Sequence, residues 1–259
     1  METTPFSDEE YALIKKIEEH NFQSVPALRT IELDGWIIRL SDGRTKRSNS
    51  VNFCGPGQQI ASDKIAKCEA YFRGAGIPAC FRNTPLMHPE NCQEILGQKG
   101  YREFGHTDAM ILDISAPLPS PDSRVKLEDQ LSESWLEAHA RIKNLTEEEK
   151  LGLKKTHQSI SLPMIYASLD IGGTIAAIGQ GVLSSDLVGL FDFMTDPDFK
   201  RQGLAMNVAN SILQASQKKG VEIAYLQVEQ KNIGAKKFWA SVGFNTKLYT
   251  YSYSMRTGT

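Results

Sequence analysis

An apolar run from Leu187 to Met194 ends at Asp196-Pro197. It passes through the basic turn Lys200-Arg201-Gln202-Gly203 and continues from Leu204 as an amphipathic segment that stops at Gly220. That order constrains the fold more than any other stretch of the chain. The proline ends the strand, Gly203 suits a left-handed turn, and Val208, Ile212 and Leu213 recur at helical spacing. A strand feeding a helix through small residues aims several backbone N–H groups at one point, where the positive end of the helix dipole also lies. The turn is either an ordinary connection or a cradle for a diphosphate, and the rest of the chain has to decide between them.

With 259 residues the chain can build one large domain or two modest ones. A hydrophobic share of 41% and a charged share of 23% describe an ordinary soluble globular protein. The net charge of −2, without a long block of like charge, gives no basic footprint for nucleic acid. The acidic start, Met1 to Glu10, lacks the basic-then-apolar order of a secretory signal. No apolar run reaches membrane-spanning length, so a cytoplasmic protein is expected. Cys54, Cys68, Cys80 and Cys92 form no CxxC pair, and Cys68 and Cys92 fall on helix faces. Free buried thiols are therefore expected rather than zinc or disulfides. The five histidines match no metal spacing, so no metal site is expected.

Along the chain, Ser7 and Glu10 form a capping box for a helix striped by Leu13, Ile14 and Ile17. Arg29 to Leu40 and Arg44 to Phe53 read as a hairpin around Ser41-Asp42-Gly43. Alternation puts Glu32, Asp34 and Trp36 on one face of its first strand, and Arg47 and Asn49 on one face of its second. Gly55-Pro56-Gly57 breaks the chain, and Ser62 is expected to cap a helix carrying Ile65, Cys68 and Phe72. A strand from Ala79 to Asn83, a helix between Pro89 and Gly100, and a strand from Thr107 to Ile114 complete the half.

The Pro/Ser-rich stretch 116–123 reads as a linker between domains spanning 1–115 and 124–259. Beyond it come a short strand from Val125 to Leu127, a helix with Trp135, Leu136, His139 and Ile142, and a helix boxed by Thr146 and Glu149. A hairpin turns at Gly172-Gly173. The strand–turn–helix of 187–220 follows, then a strand from Glu222 to Glu229, a helical segment after Asn232, and a last strand from Leu248 to Met255. Both halves share the order of elements, with Gly100-Tyr101 standing where Gly243-Phe244 stands later, which points to a tandem duplication.

Lys200-Arg-Gln-Gly-Leu-Ala205, led by Asp196-Pro-Asp-Phe199, is similar to the Gln/Arg-x-x-Gly-x-Gly/Ala loop of the GNAT superfamily of acyl-CoA-dependent N-acetyltransferases. One helix and one strand later, Asn232, Ala235, Phe238, Gly243 and Phe244 match its Asn-x-x-Ala-x-x-Leu-Tyr-x-x-x-Gly-Phe segment. This resemblance covers roughly 125–255, and the pattern from Gly35 to Val51 resembles the first half of a tandem GNAT subgroup. It implies an α+β fold of two such units, each a mixed, mostly antiparallel sheet flanked by helices, the N-terminal one degenerate. It also implies acetyl-CoA as cofactor. Pantetheine would lie along Phe193, Met194 and Thr195, where two strands splay and a main-chain N–H near Met194 polarises the thioester. Arg201, Gln202, Gly203, Leu204 and Ala205 would hold the diphosphate, and Asn232, with Phe238 in the same motif, would meet the pantetheine arm or simply cap a helix. At the matching place the N-terminal half has Cys54-Gly-Pro-Gly-Gln-Gln59, without a basic turn and with Pro56 lacking an N–H. No second cofactor site is expected there.

Two departures bear on chemistry. Trp239 stands where many family members carry an acidic tyrosine, and Gln227 stands where relatives that modify ribosomal proteins carry a glutamate base. Strand parity leaves Glu229 as a substitute base, unless it is only a solvated strand end. Trp36, Arg47 and Asn49, joined by Arg39, could form a substrate patch that clamps a carboxylate, or one solvated face of a hairpin. The expected activity is acetyl transfer to the primary amine of a small metabolite or amino-acid-like acceptor, by a monomer or homodimer. A non-catalytic acyl-CoA sensor and a protein N-terminal or lysine acetyltransferase are the alternatives.

Overall fold

The structure is a computed structural model and describes residues 6–41 and 45–256. In chain order the elements are α1 (Asp8–Ser24), β1 (Arg29–Leu33), β2 (Trp36–Leu40), β3 (Ser50–Phe53), α2 (Ala61–Gly74), β4 (Cys80–Asn83), α3 (Cys92–Gln98) and β5 (Tyr101–Asp113). Then come β6 (Val125–Glu128), α4 (Glu133–Lys143), α5 (Glu147–Gln158), β7 (Met164–Ile171), β8 (Thr174–Leu183) and β9 (Leu187–Thr195). The chain continues with α6 (Leu204–Gln217), β10 (Ile223–Glu229), α7 (Ile233–Val242) and β11 (Thr246–Arg256).

The chain divides into two compact units that do not follow its linear order. The first comprises Met1–Ala109, Gln227–Lys236 and Lys247–Thr259, and the second Met110–Leu226 and Lys237–Thr246. The stretch 116–123 has no helix or strand and lies within the second unit. The last strand, read from the sequence as part of the C-terminal domain, belongs to the first unit, where it pairs antiparallel with β4.

In the first unit the strand order is β1-β2-β3-β4-β11-β5, with β3 and β4 parallel. Trp36, Ile38, Val51 and Phe53 pack with Ile65, Cys68 and Phe72 of α2 and with Phe81, so alternate strand residues and one helix stripe share a core. Ser7 and Glu10 form the expected box at α1. Arg82 is buried and pairs with Glu18, which Tyr249 also engages. All four cysteines are free, and Cys68, Cys80 and Cys92 are buried, which pushes their thiols up to about 11 to 12.

Three sequence expectations change here. Arg29 to Leu40 is not one strand but a hairpin of its own. Asp34 and Gly35, at φ 47° and 81°, turn β1 into β2, with Leu33 opposite Trp36. Asp-Gly is a preferred two-residue turn, and the chain has two of them. The turn expected at Ser41-Asp42-Gly43 falls partly outside the described residues. Arg47 and Asn49 are consequently not on a strand face, because 46–48 form a 3-10 turn with Asn49 closing it. The helix after Gly57 is capped at Ile60 rather than Ser62, whose hydroxyl instead donates to Asp63.

In the second unit the order is β10-β9-β8-β7-β6, with β9 and β10 parallel and the other pairs antiparallel. Thr146 and Glu149 box α5 as expected. Pairing of β9 with β10 covers Leu187 to Gly189, although both strands run further. On its other side β9 follows β8 to Thr195, with a bulge. Phe191 faces Gln180 and Met194 faces Ile178, so Asp192 and Phe193 together stand opposite Gly179. A Cβ on Gly179 would lie 2.8 Å from the Phe193 ring, which is why a residue without a side chain stands there.

Candidate active site

The turn leading to α6 is pinned at its start. Asp196 N donates to Ala176 O at 2.8 Å, and the Asp196 carboxylate accepts from Asp198 N at 3.0 Å, capping a 3-10 turn over Pro197–Phe199. Arg141 reaches over from α4, pairing with the Asp196 carboxylate and donating to Ile175 O at 2.8 Å. The Asp198 amide and then the Arg141 guanidinium hold the Asp196 carboxyl below the usual carboxylate range.

Past that anchor the backbone enters the left-handed region twice, at Arg201 (φ 65°) and Gly203 (φ 75°). For an arginine that conformation costs about 1 kcal/mol, and such strain tends to persist where it serves a site. Gly203 is the N-cap of α6 and brings no side chain to its first-turn amides. A Cβ built there meets nothing within 4 Å. Arg201, Gln202 and Gly203 are exposed, while Leu204 is buried and anchors the helix start. Successive amides at a helix N-terminus, facing open space beside an arginine, are the geometry that suits an anion.

Phe193, Met194 and Thr195 are half-buried at the end of β9. The Phe193 ring meets Trp239 edge-on at 4.8 Å, and Trp239 packs on Phe238 at 4.7 Å and Phe244 at 5.5 Å. Trp239 is thus a packing residue in the second unit. The structure places Phe193, Met194, Thr195, Arg201, Gln202, Gly203, Leu204, Ala205 and Phe238 in that same unit.

The remaining sequence candidates lie in the first unit. Asn232 caps α7, its side-chain oxygen accepting from Ala235 N at 3.0 Å. Gln227 accepts from the Tyr251 hydroxyl at 3.0 Å and lines a cavity of about 10 Å³ with Arg39, Arg47 and Arg82, room for one water. Glu229 is exposed and pairs with Lys231 at 3.1 Å. Trp36 is fully buried, donating from its indole nitrogen to His88 O at 2.9 Å and lying against Phe53, so it presents no face to a substrate. Arg39 gives its guanidinium to the carbonyls of Arg47, Phe22 and Val25. Asn49 is buried, accepting from Ser41 N at 2.7 Å and donating to Thr45 O at 2.8 Å. With Arg39 and Asn49 committed to main chain, the expected carboxylate clamp does not form. Arg47 remains beside the small cavity.

Sequence reasoning missed one cluster in the second unit: Asp192 at the bulge, facing His139 and His157. Its signal was a lone carboxylate inside Leu190-Phe191-Asp192-Phe193-Met194, an otherwise apolar run.

Residues 12–253 match the family model described as "Probable histone acetyltransferase Rv0428c C-terminal", and the chain belongs to that family. The uncharacterized N-acetyltransferase YobR of Bacillus subtilis (strain 168) is 21% identical over 236 residues, spanning 90% of this chain and 94% of that protein. A shorter match of 81 residues, 31% of this chain, is 31% identical to the ribosomal protein bS18-alanine N-acetyltransferase of Escherichia coli (strain K12), covering 55% of that enzyme. Among solved structures, the tandem GNAT protein from the clavulanic acid biosynthesis pathway superposes with a TM-score of 0.67 at 9% identity, over 93% of this chain and 87% of that one. The fold is the α+β tandem GNAT arrangement expected from the motifs, and the protein is an N-acetyltransferase. Among the described residues no helix is long and apolar enough to cross a membrane.

Proposed function

We propose that the protein transfers an acetyl group from acetyl-CoA to the primary amine of a small, amino-acid-like metabolite, with one cofactor site per chain. The observation that carries this reading is the turn before α6, with left-handed Arg201 and Gly203, an N-cap without a side chain, and open space in front of its amides. Acetyl-CoA supplies an acyl group already activated as a thioester. The chain supplies the holding groups: the amides of Arg201 to Ala205 for the diphosphate, and the edge of Phe193, Met194 and Thr195 beyond the last β10 pair for the pantetheine arm. The main-chain N–H near Met194 is assigned to the thioester carbonyl. Trp239 offers an indole N–H and no acid, so at that position the chain would supply no proton to the thiol leaving group. Asn232 acts in this reading as the cap of α7.

A small acceptor is favoured over a basic peptide because the chain has no acidic block to steer one. The competing reading, a protein N-terminal acceptor, draws on the partial match to the bS18-alanine enzyme. Thiol release from acetyl-CoA with a panel of primary-amine metabolites and a panel of short peptides separates the two. Turnover confined to the peptides would overturn the small-acceptor assignment.

A further inference from the structure

Folding carries two arginines into the interior of the first unit, and their charges are met unequally. Arg82 on β4 is 2% exposed and holds the Glu18 carboxylate through both terminal nitrogens. Arg39 on β2 is 3% exposed, and among the described residues it forms no ion pair with a carboxylate. Its Nη1 donates to Arg47 O at 2.5 Å, and its Nη2 to Phe22 O at 3.0 Å and to Val25 O. The guanidinium carbon lies 4.9 Å from the centre of the Phe22 ring. Carbonyl dipoles and a ring face stabilise a cation without cancelling its charge, whereas a buried ion ordinarily has a partner of opposite sign. Burial, joined by the Arg47 charge, pulls the Arg39 guanidinium down to about 10, which leaves it ionised at neutral pH.

Both side chains border one cavity of about 10 Å³, room for a single water-sized occupant. The lining adds a third guanidinium, from Arg47, and contains no carboxylate. Two donors of lining residues have no hydrogen-bond partner. One is Arg82 Nε, left over from the Glu18 pair. The other is Gln227 Nε2, on an amide whose Oε1 accepts from the Tyr251 hydroxyl at 3.0 Å. One acceptor, Asn52 Oδ1, is also unpaired. A water could serve all three atoms, but a neutral molecule leaves the Arg39 charge uncompensated. A monatomic anion accepts from both donors and offsets that charge, at the cost of facing one amide oxygen. Phosphate and organic carboxylates are too large for the space.

We propose that this cavity binds a halide-sized monovalent anion as the counter-ion of Arg39. The lining comes from α1, β2, β3, β4 and β10 and lies within the first unit, so the inference is independent of the acyl-transfer reading. An ion held only when those five elements have assembled stabilises the folded chain by mass action.

The test uses the whole chain, with bromide as the probe because it has the charge and nearly the size of chloride and scatters X-rays anomalously. Crystals grown in bromide are expected to show an anomalous peak in the cavity, beside Arg82 Nε and Gln227 Nε2. In solution, gluconate is too large to enter. Replacing it by chloride or bromide at constant ionic strength should raise the thermal unfolding midpoint by about 2–4 °C and saturate as for one site. Gln227→Glu gives the same lining a fixed carboxylate, so this variant should lose the halide dependence; should it fail to fold, the wild-type anomalous map still decides. A cavity without an anomalous peak overturns the inference, as does a halide dependence that Gln227→Glu leaves intact. A peak accompanied by equal midpoints in gluconate and halide means binding at crystal concentration only, and overturns it too.

Discussion

After β3 the first unit runs through Cys54-Gly-Pro-Gly-Gln-Gln59 into α2, and after β9 the second runs through Lys200 to Gly203 into α6. In the first, the Asp34 carboxylate accepts from Gln58 N at 3.0 Å and Gln59 N at 2.7 Å. Lys64 lies 3.4 Å from the same carboxylate and donates to Asp34 O at 2.8 Å. The fit is close enough that a Cβ on Gly57 would sit 2.1 Å from Asp34 O. In the second, no side chain caps α6 and a Cβ on Gly203 meets nothing. A helix-entry turn of this kind suits a negative group. The first unit supplies that group itself, from a neighbouring hairpin turn, and so uses the motif as a structural clasp. In the proposed reading the second leaves its amides to the diphosphate of acetyl-CoA. On that reading the same strand–turn–helix is scaffold in one unit and site in the other, and the difference is one aspartate and a proline.

The sharpest way to break this comparison is Gly203→Glu, which puts a carboxylate among the amides assigned to the diphosphate. CoA affinity measured by calorimetry should fall at least about 100-fold, with the circular dichroism spectrum retained because the added side chain enters open space and the left-handed backbone at φ 75° costs about 1–2 kcal/mol. Undiminished affinity would sink the cofactor assignment. The matched change in the other unit, Gly57→Ala, should do the reverse. It should lower stability in denaturant unfolding by about 1–3 kcal/mol through overpacking and leave CoA affinity alone. Asp34→Asn should lower the melting temperature, with the stoichiometry still one CoA per chain; two would mean that the clasp is a masked second site.

A smaller effect is expected in acid. The Gln58 and Gln59 amides depress the Asp34 carboxyl, and the Asp198 amide and Arg141 depress that of Asp196. Carboxyls lowered on folding stabilise the protein fully above the ordinary range of about 4. They lose that contribution as pH falls through the lowered values. Asp34→Asn and Asp196→Asn should each flatten the acid limb of the stability curve, read as melting temperature against pH. The smallest change is expected for Glu229→Gln, whose exposed carboxylate pairs with Lys231. Its kcat should drop less than about threefold, and a larger loss would restore Glu229 as the base.

Much of the molecule could be read in advance where local chemistry acts alone. The capping boxes of Ser7 with Glu10 and Thr146 with Glu149, the Gly172-Gly173 hairpin and the 187–220 strand–turn–helix each depend on residues close in sequence. Reading failed where two local solutions competed. Asp34-Gly35 and Asp42-Gly43 are equally good turns on paper, and taking only the second merged two strands into one. That slip carried Trp36 and Asn49 into an imagined substrate face, although one is core and the other a loop clip.

The residues alone determined the family, most of the order of strands and helices and the glycine turn before α6, because motif spacing and hydrophobic period are properties of short windows. Three things depended on tertiary structure. β11 joined β4 in the first unit, Asp34 closed the loop at Gln58 and Gln59, and Asp192 met histidines 53 and 35 positions earlier in the chain. Each is a pairing between distant segments, and its energy depends on which groups packing brings together.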